Sequence, residues 1–308
     1  MHLGGYKRVI GLVFGLFWLW HATVPAMGAM TSTNYQINWD SINVGGLDTA
    51  SSATYLLRDG IGEFGLGSMS SSSYAIDSGY RGGVYDPVVS VTYYLQNTAT
   101  QVAATLLAST TVTVTTTSGY AVNDYVVLIQ DEGISQVAAV GKISSVDATT
   151  MTVDSWTTNG TTPTIDGAGG DYVYELNGTA LSLGSLASAR VGTAIVAWDV
   201  SADVSQGYGV YVFDSGNPST GTSTFSDVTD GAVTAGVTEY GARSSDTTLS
   251  SSFDTQDAAL TTTPQIVASR ADNAFISRDF LTFKASADTS FTGGTYSGTV
   301  TFVFVGDY

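Results

Sequence analysis

The sequence predicts an all-β protein, and three observations support that prediction. Short alternating or continuous apolar runs recur along the chain, separated by clusters of Gly, Asn and Asp. The composition is rich in Thr, Ser, Gly, Val and Tyr, and only 12% of the residues are charged, which favours strands over helices. No long window shows a convincing helical period of apolar residues.

Residues 1–29 have the three parts of a secretory signal. A basic start at Lys7 and Arg8 precedes an apolar run, and small residues then suit signal peptidase, with cleavage expected after Gly28 or Ala29. The apolar run is shorter than the roughly 20 residues that a membrane span needs, which disfavours the alternative of a membrane anchor. We therefore expect an extracellular or cell-surface protein without a membrane span after cleavage.

The residue types left after cleavage exclude most catalytic and metal chemistry. Both histidines, His2 and His21, lie inside the signal, and the chain has no cysteine. Ser-His-Asp and Cys-His catalysis are thereby excluded, as are the usual ligands of zinc, copper and iron. A carboxylate pair of the glycosidase kind remains, but the spacing of the four glutamates marks no such pair. These are Glu63, Glu132, Glu175 and Glu239. We expect no enzyme activity, no catalytic residue, no cofactor and no metal site.

The charge balance excludes further partners. Loss of Lys7 and Arg8 with the signal leaves eight basic and 27 acidic residues, a net charge of −19. A surface of this sign repels nucleic acid and anionic lipid. The acids are dispersed rather than grouped, which favours a solvated surface over an acidic binding tail.

Residues 30–87 contain a threefold repeat with the pattern Ser-x-x-Tyr-x-(Ile or Leu), followed by glycine. Ser, Thr and Asn favour a turn, and the Tyr and the apolar residue two positions later face the same side of a strand. The segment has too little apolar content for its own core. We expect it to add strands to a neighbouring copy or to an edge of its own sandwich, with Tyr35, Tyr55 and Tyr74 facing inward.

Residues 88–107 are predicted to hold a first sandwich strand, at 88–96, and a linker. Residues 108–175 then show five strand signals at the spacing of a small barrel. This stretch resembles the SH3-like barrels of phage and surface proteins, in which a Gly-Tyr-x-Val-x-Asp turn, here residues 119–124, precedes the second strand. A Thr-x-Thr-Val strand, here residues 150–153, follows later. We expect the barrel to be a separable insertion into the sandwich.

Residues 176–308 show strands with regular turn signals, the pattern of a β-sandwich. Residues 207–212, 227–241 and 294–302 are similar to predicted Ig-like bacterial cell-surface proteins and, more distantly, to WxL-type wall-associated domains. The resemblance implies an Ig-like sandwich at the cell exterior. The chain departs from the WxL pattern because the paired Trp-x-Leu motifs are absent after residue 29, where the tryptophans are Trp39, Trp156 and Trp198.

Several polar motifs have two interpretations. The glycine-rich loop between Asp166 and Asp171 could wrap calcium, but it has too few alternating acids, and a plain hairpin is favoured. Asp227 and Asp230, near Asp214, form a similar weak candidate, for which turns are favoured. The Asn-Gly-Thr sites that begin at positions 159 and 177 match glycosylation acceptors, but Asn-Gly is first a hairpin signal.

The exposed aromatic residues also leave an alternative open. Trp39, Trp156 and the 17 tyrosines could stack on sugars, although tyrosine in a strand more often packs against its neighbours. The leading hypothesis is a structural or assembly subunit of the cell surface or of an extracellular filament, joined by strand edges to copies of itself or to other surface proteins. The alternative is an adhesin or a glycan-binding surface module.

Overall fold

The computed structural model describes residues 89–306, except residues 134–135, 203 and 205, together with six short strands between residues 31 and 78. The prediction of an all-β fold is confirmed, because the described residues form strands, loops and two 3₁₀ turns, Thr98–Thr100 and Ser252–Asp254. The chain divides into two compact units, residues 1–85 and 86–308. No helix in this described part is long and apolar enough to cross a membrane.

The first unit contains three antiparallel strand pairs, and each pair brackets one Ser-x-x-Tyr motif. The strands are β1 (Thr31–Ser32) with β2 (Tyr35–Gln36), β3 (Gly45–Ser51) with β4 (Leu56–Ile61), and β5 (Gly67–Ser71) with β6 (Tyr74–Ser78).

The second unit begins with strand β7 and continues into a closed six-stranded barrel. The strands of this region are β7 (Val89–Leu95), β8 (Val102–Ala108), β9 (Thr111–Val114), β10 (Tyr125–Gln130), β11 (Val137–Val146), β12 (Thr150–Val153), β13 (Thr157–Thr158) and β14 (Tyr172–Glu175). The antiparallel ring runs β8, β9, β12, β11, β10, β14 and back to β8, while β13 pairs outside it with β11.

The barrel has one strand more than the five expected from the sequence. The additional strand, β8, lies in the segment that was predicted to be a linker. A register shift between Ala104 and Leu106 breaks its apolar alternation, which hides the strand from a period-2 pattern. The barrel interior is filled by aliphatic side chains, including Val126, Leu128 and Met151. The SH3-like character of the barrel stays a prediction.

The rest of the second unit is a β-sandwich of a five-stranded and a three-stranded sheet. Its further strands are β15 (Gly192–Ala202), β16 (Tyr208–Asp214), β17 (Ser226–Asp227), β18 (Glu239–Ser244), β19 (Gln265–Arg270), β20 (Ala274–Ser286) and β21 (Val300–Gly306). The larger sheet has the order β17-β18-β20-β15-β7, and the smaller sheet has the order β19-β16-β21.

The sandwich core lies between the two sheets. Trp198, Tyr208 and Phe253 are its largest fully buried side chains. Strand β7 pairs with β15 over seven consecutive residues, which is the pairing expected for residues 88–96 although the barrel separates the two strands in sequence. The Ig-like character of the sandwich stays a prediction, because the sheet pairing shows a sandwich and no more.

The barrel packs on the outer face of the five-stranded sheet. Strand β10 is buried on both sides: Val126 and Leu128 point into the barrel, while Val127 and Ile129 contact the cluster that also contains Phe280. All four side chains are fully buried. The barrel wall therefore contributes to two hydrophobic cores. Removing the barrel would expose an apolar face of the sheet, so the expectation that the barrel is a separable insertion needs revision.

A polar network beside this apolar interface joins the same two parts. The buried Arg278 guanidinium lies 2.9 Å from the Asp154 carboxylate of the barrel and 3.3 Å from the Asp199 carboxylate of β15. The guanidinium carbon lies 5.1 Å from the centre of the Tyr125 ring, and the Tyr125 hydroxyl donates to Asp199. Tyr125 also stacks on Tyr94, with ring centres 3.9 Å apart.

Candidate functional site

The two edges of the sandwich differ in how well they are protected. On one side, β17 has only two residues and includes Asp227, and a further bridge joins Ala242 to Ala258. On the same side, β19 carries Arg270, and its pairing with β16 contains a register shift. Short strands, charges and bulges are the features that keep a sheet edge from pairing with another chain.

The opposite edge, formed by β7 and β21, has none of these features, and we call these two strands the open edge. Each strand has seven residues and keeps an unbroken register with its inner neighbour. No charged residue occurs from 87 to 123 or from 289 to 306, although the whole chain has a net charge of −17. In the described part of the chain, the outer side of the open edge is bridged only where Leu95 meets Gly178.

A cavity of about 1280 Å³ opens between the two sheets next to the open edge. Tyr93 and Leu95 of β7 line it on one side, and Val300 and Phe302 of β21 line it on the other. The rings of Tyr93 and Phe302 meet at the back of the opening, with centres 5.5 Å apart. The cavity is therefore walled by side chains of the same two strands whose outer backbone is largely unpaired within the described residues.

Three further aromatic rings lie in the wall of the cavity, on the connections outside the sheets. Phe225, Phe291 and Tyr296 contact one another, with ring centres 4.8 to 5.0 Å apart. Phe225 is buried, whereas Phe291 and Tyr296 are half-buried. Such a cluster presents apolar surface to whatever enters the cavity.

Serine, threonine and aspartate side chains also line the cavity, and Asp214 and Asp288 are among them. Asp214 is buried, and its Oδ1 accepts from the backbone N–H of Gly216 at 3.1 Å, while its Oδ2 has no protein partner. Burial raises the pKa of the Tyr240 hydroxyl, and the nearby Asp214 carboxylate adds to the rise. The cavity therefore presents both aromatic rings and polar groups to an occupant.

The outer face of β21 is also apolar. Val303 and Val305 are 38% and 41% exposed, and the half-buried Tyr211 and Phe213 of β16 lie on the same face. An antiparallel sheet with one face in the core usually has a polar outer face. In the part of the chain that the structure describes, the open edge therefore combines a largely unpaired outer backbone, apolar side chains and no charge.

The assembly residues predicted from the sequence belong to the first unit. Tyr35 and Tyr74 begin strands β2 and β6, and Tyr55 lies outside the described residues, as do the side-chain positions of all three. Their role stays a prediction. Trp39 is also outside the described residues, whereas Trp156 packs against the barrel core rather than presenting a free ring.

The acidic residues considered as calcium ligands accept hydrogen bonds from nearby donors. Asp166 accepts from the backbone of Ala168, and buried Asp171 accepts from that of Asp131. Asp227 accepts from the Asn217 side chain. Asp230 accepts from the backbone N–H of Ala232, and Asp214 accepts from that of Gly216. Within the described residues, no group of three or more His, Cys, Asp or Glu side chains could hold a metal ion.

The hairpin interpretation of the second Asn-Gly site is wrong. The Gly178 N–H donates to the Leu95 carbonyl at 2.8 Å, so the site bridges to β7 instead of turning between two paired strands. A Cβ at Gly178 would lie 2.7 Å from the Gln96 carbonyl oxygen, which explains the glycine. At the first site, Gly160 has a φ of +90° in a bend after β13.

The glutamates are not brought together as a catalytic pair. Glu132 accepts from the Tyr174 hydroxyl at 2.9 Å, and Glu239 accepts from the backbone of Thr234. Burial raises the pKa of Glu175, and Asp124 adds to the rise. Glu63 lies outside the described residues.

Comparison of the chain with models of known protein families, with curated proteins and with solved structures finds no match in any of the three.

Proposed function

We propose that this protein is an exported structural or assembly subunit of a bacterial cell surface or an extracellular filament, joined to other copies by β-strand edge contacts. The observation that supports the proposal most is the open edge. Within the described residues, most backbone donors and acceptors on the outer side of β7 and β21 are unpaired, and they can act as a template for another strand. The cavity beside them can take side chains of that strand.

Charge gives a second argument for self-association through this edge. Two copies of a chain with a net charge of −17 repel each other over most of their surfaces. The uncharged segments around β7 and β21 can approach their counterparts in another copy without bringing like charges together. The other edge of the sandwich is charged, because β17 carries Asp227 and β19 carries Arg270.

The test is to place lysines on the open edge. Val303→Lys with Val305→Lys puts two charges on β21 at exposed positions, where the fold itself tolerates them. Val237→Lys is the control, because Val237 is 48% exposed and lies in the loop before β18, outside β7 and β21. Light scattering and electron microscopy should show assembly of the wild type and the control, and loss of assembly in the double variant.

A monomeric wild type at high concentration, indistinguishable from both variants, would contradict the proposal. If the double variant still assembles, the contact between copies lies on another surface.

The alternative function is an adhesin or glycan-binding module. The aromatic cluster of Phe225, Phe291 and Tyr296 favours it, because sugars bind by stacking on aromatic faces. Phe291→Ala would then abolish binding to a glycan array and leave assembly unchanged. This proposal ranks second, because the lack of charge along β7 and β21 is a separate argument for assembly that glycan binding does not need.

A further inference from the structure

A half-buried lysine faces a buried aspartate on the side of the five-stranded sheet that faces away from the sandwich core. The Lys284 Nζ of β20 lies 2.7 Å from the Asp257 Oδ1, and the two side chains are only 15% and 5% exposed. Lysine is rarely buried, and arginine is the better partner for a buried carboxylate. The other ion pairs of the described residues use Arg270 and Arg278. A simple ion pair therefore leaves the choice of lysine unexplained.

The second oxygen of Asp257 is held by a backbone donor. The Val233 N–H donates to the Asp257 Oδ2 at 2.9 Å, and the next amide, that of Thr234, donates to the Glu239 Oε1 at 2.5 Å. Consecutive amides thus hold two carboxylates side by side. Glu239 is 6% exposed and lies in β18 two residues before Gly241, the residue paired with Lys284.

Apolar residues cover this group. Val191, Val228 and Val233 form a small buried cluster, and a Cβ at Gly241 would lie 2.5 Å from a Val228 methyl group. The absence of a side chain at Gly241, opposite Lys284, therefore leaves room for the Val228 side chain.

We propose that Lys284 and Asp257 are joined in the folded protein by an amide bond between Nζ and Cγ. The Lys284 amine attacks Cγ, and the Val233 N–H stabilises the negative charge that develops on Oδ2. Oδ1 leaves as water with two protons of the original ammonium group, which pass directly from Nζ to Oδ1 over 2.7 Å. Oδ2 remains as the amide carbonyl and keeps its bond from Val233. No oxidant is consumed.

The bond would serve a chain that has no cysteine and therefore no disulfide. It closes a loop between residues 27 positions apart and ties the segment before β19 to the long strand β20. A covalent link of this kind reduces the conformational freedom of the unfolded chain in the way that a disulfide does. Unlike a disulfide, it does not respond to reductants.

The experiment is the intact mass of the purified, denatured full chain. The wild type should be lighter than its sequence by one water molecule, and a proteolytic digest should contain one branched peptide with residues 257 and 284. Lys284→Arg keeps the ion pair but forms no bond, so its mass should match its sequence. Asp257→Asn should give the same mass as the wild type, because loss of ammonia from asparagine leaves an identical amide.

A folded wild type whose mass equals that of its sequence would overturn the proposal and leave an ion pair only.

Discussion

Replacing Phe280 by alanine tests whether the barrel and the sandwich share one core. Phe280 is 1% exposed and lies between the sheet and the barrel wall, near Ile195 and Val127. Its neighbours are fixed by sheet pairing on both sides of the interface, so they cannot collapse into the space that the ring leaves. A buried Phe→Ala change with little relaxation costs about 3–5 kcal/mol of unfolding free energy. That is a large part of the roughly 5–15 kcal/mol typical of a whole domain.

The assay is urea unfolding followed by tryptophan fluorescence. Trp156 reports on the barrel and Trp198 on the sandwich core, each isolated by replacing the other tryptophans with phenylalanine. Both probes should give one coincident transition, and Phe280→Ala should shift both by the same free energy. Phe275→Ala is the matched control on the same strand, because Phe275 is 58% exposed and its loss should change the free energy by about 0.5 kcal/mol or less.

Two results would refute the reasoning. One is a loss below about 1 kcal/mol for Phe280→Ala, which would mean that the interface contributes little. The other is a shift of the Trp156 transition alone, which would mean that the barrel unfolds independently of the sandwich.

Three further outcomes are expected. Replacing residues 100–172 by a short Gly-Ser linker should abolish cooperative unfolding. A sharp unfolding transition in the shortened chain would instead support the prediction that the barrel is a separable insertion. Burial raises the pKa of Asp279 to about 6 despite the attraction of Arg270. The folded chain then holds this proton more tightly than the unfolded chain, so this group adds stability as the pH falls from about 6 to 4 and removes it as the pH rises. Relative to Asp279→Asn, the wild type should gain about 2 kcal/mol over that range, and a difference independent of pH would contradict this. Replacing the three tyrosines of the repeat, Tyr35, Tyr55 and Tyr74, by serine should weaken assembly measured by light scattering. Unchanged assembly would mean that residues 30–87 act only as a linker.

Much of the architecture could be predicted from the sequence, because strand signals are local. The class, the pairing of β7 with the C-terminal sandwich and the presence of a small barrel follow from apolar runs and turn residues. The signal for the shared core was also present: residues 125–129 of β10 form a continuous apolar run, which indicates a strand buried on both faces. The sequence pattern cannot say which second surface covers such a strand.

The candidate sites were harder to predict, because they depend on contacts between distant residues. The open edge consists of β7 and β21, each of which is the last strand of its sheet. Only the order of the strands in the sheets reveals this. The pair of Lys284 and Asp257 joins a strand to a loop, and its surroundings come from three other segments. A count of lysines in residues 30–308, which holds only Lys142 and Lys284, was the one available hint.

The second unit begins and ends at the same end of the sandwich. Val89 at the start of β7 pairs with Ala202, and Gly306 at the end of β21 pairs with Tyr208. The six-residue step from 202 to 208 spans at most about 20 Å, so the entry and exit of the chain are close neighbours. Tension applied through both ends would therefore peel β7 and β21 from their sheets one hydrogen bond at a time, as a zipper opens, instead of shearing all the bonds of a strand together.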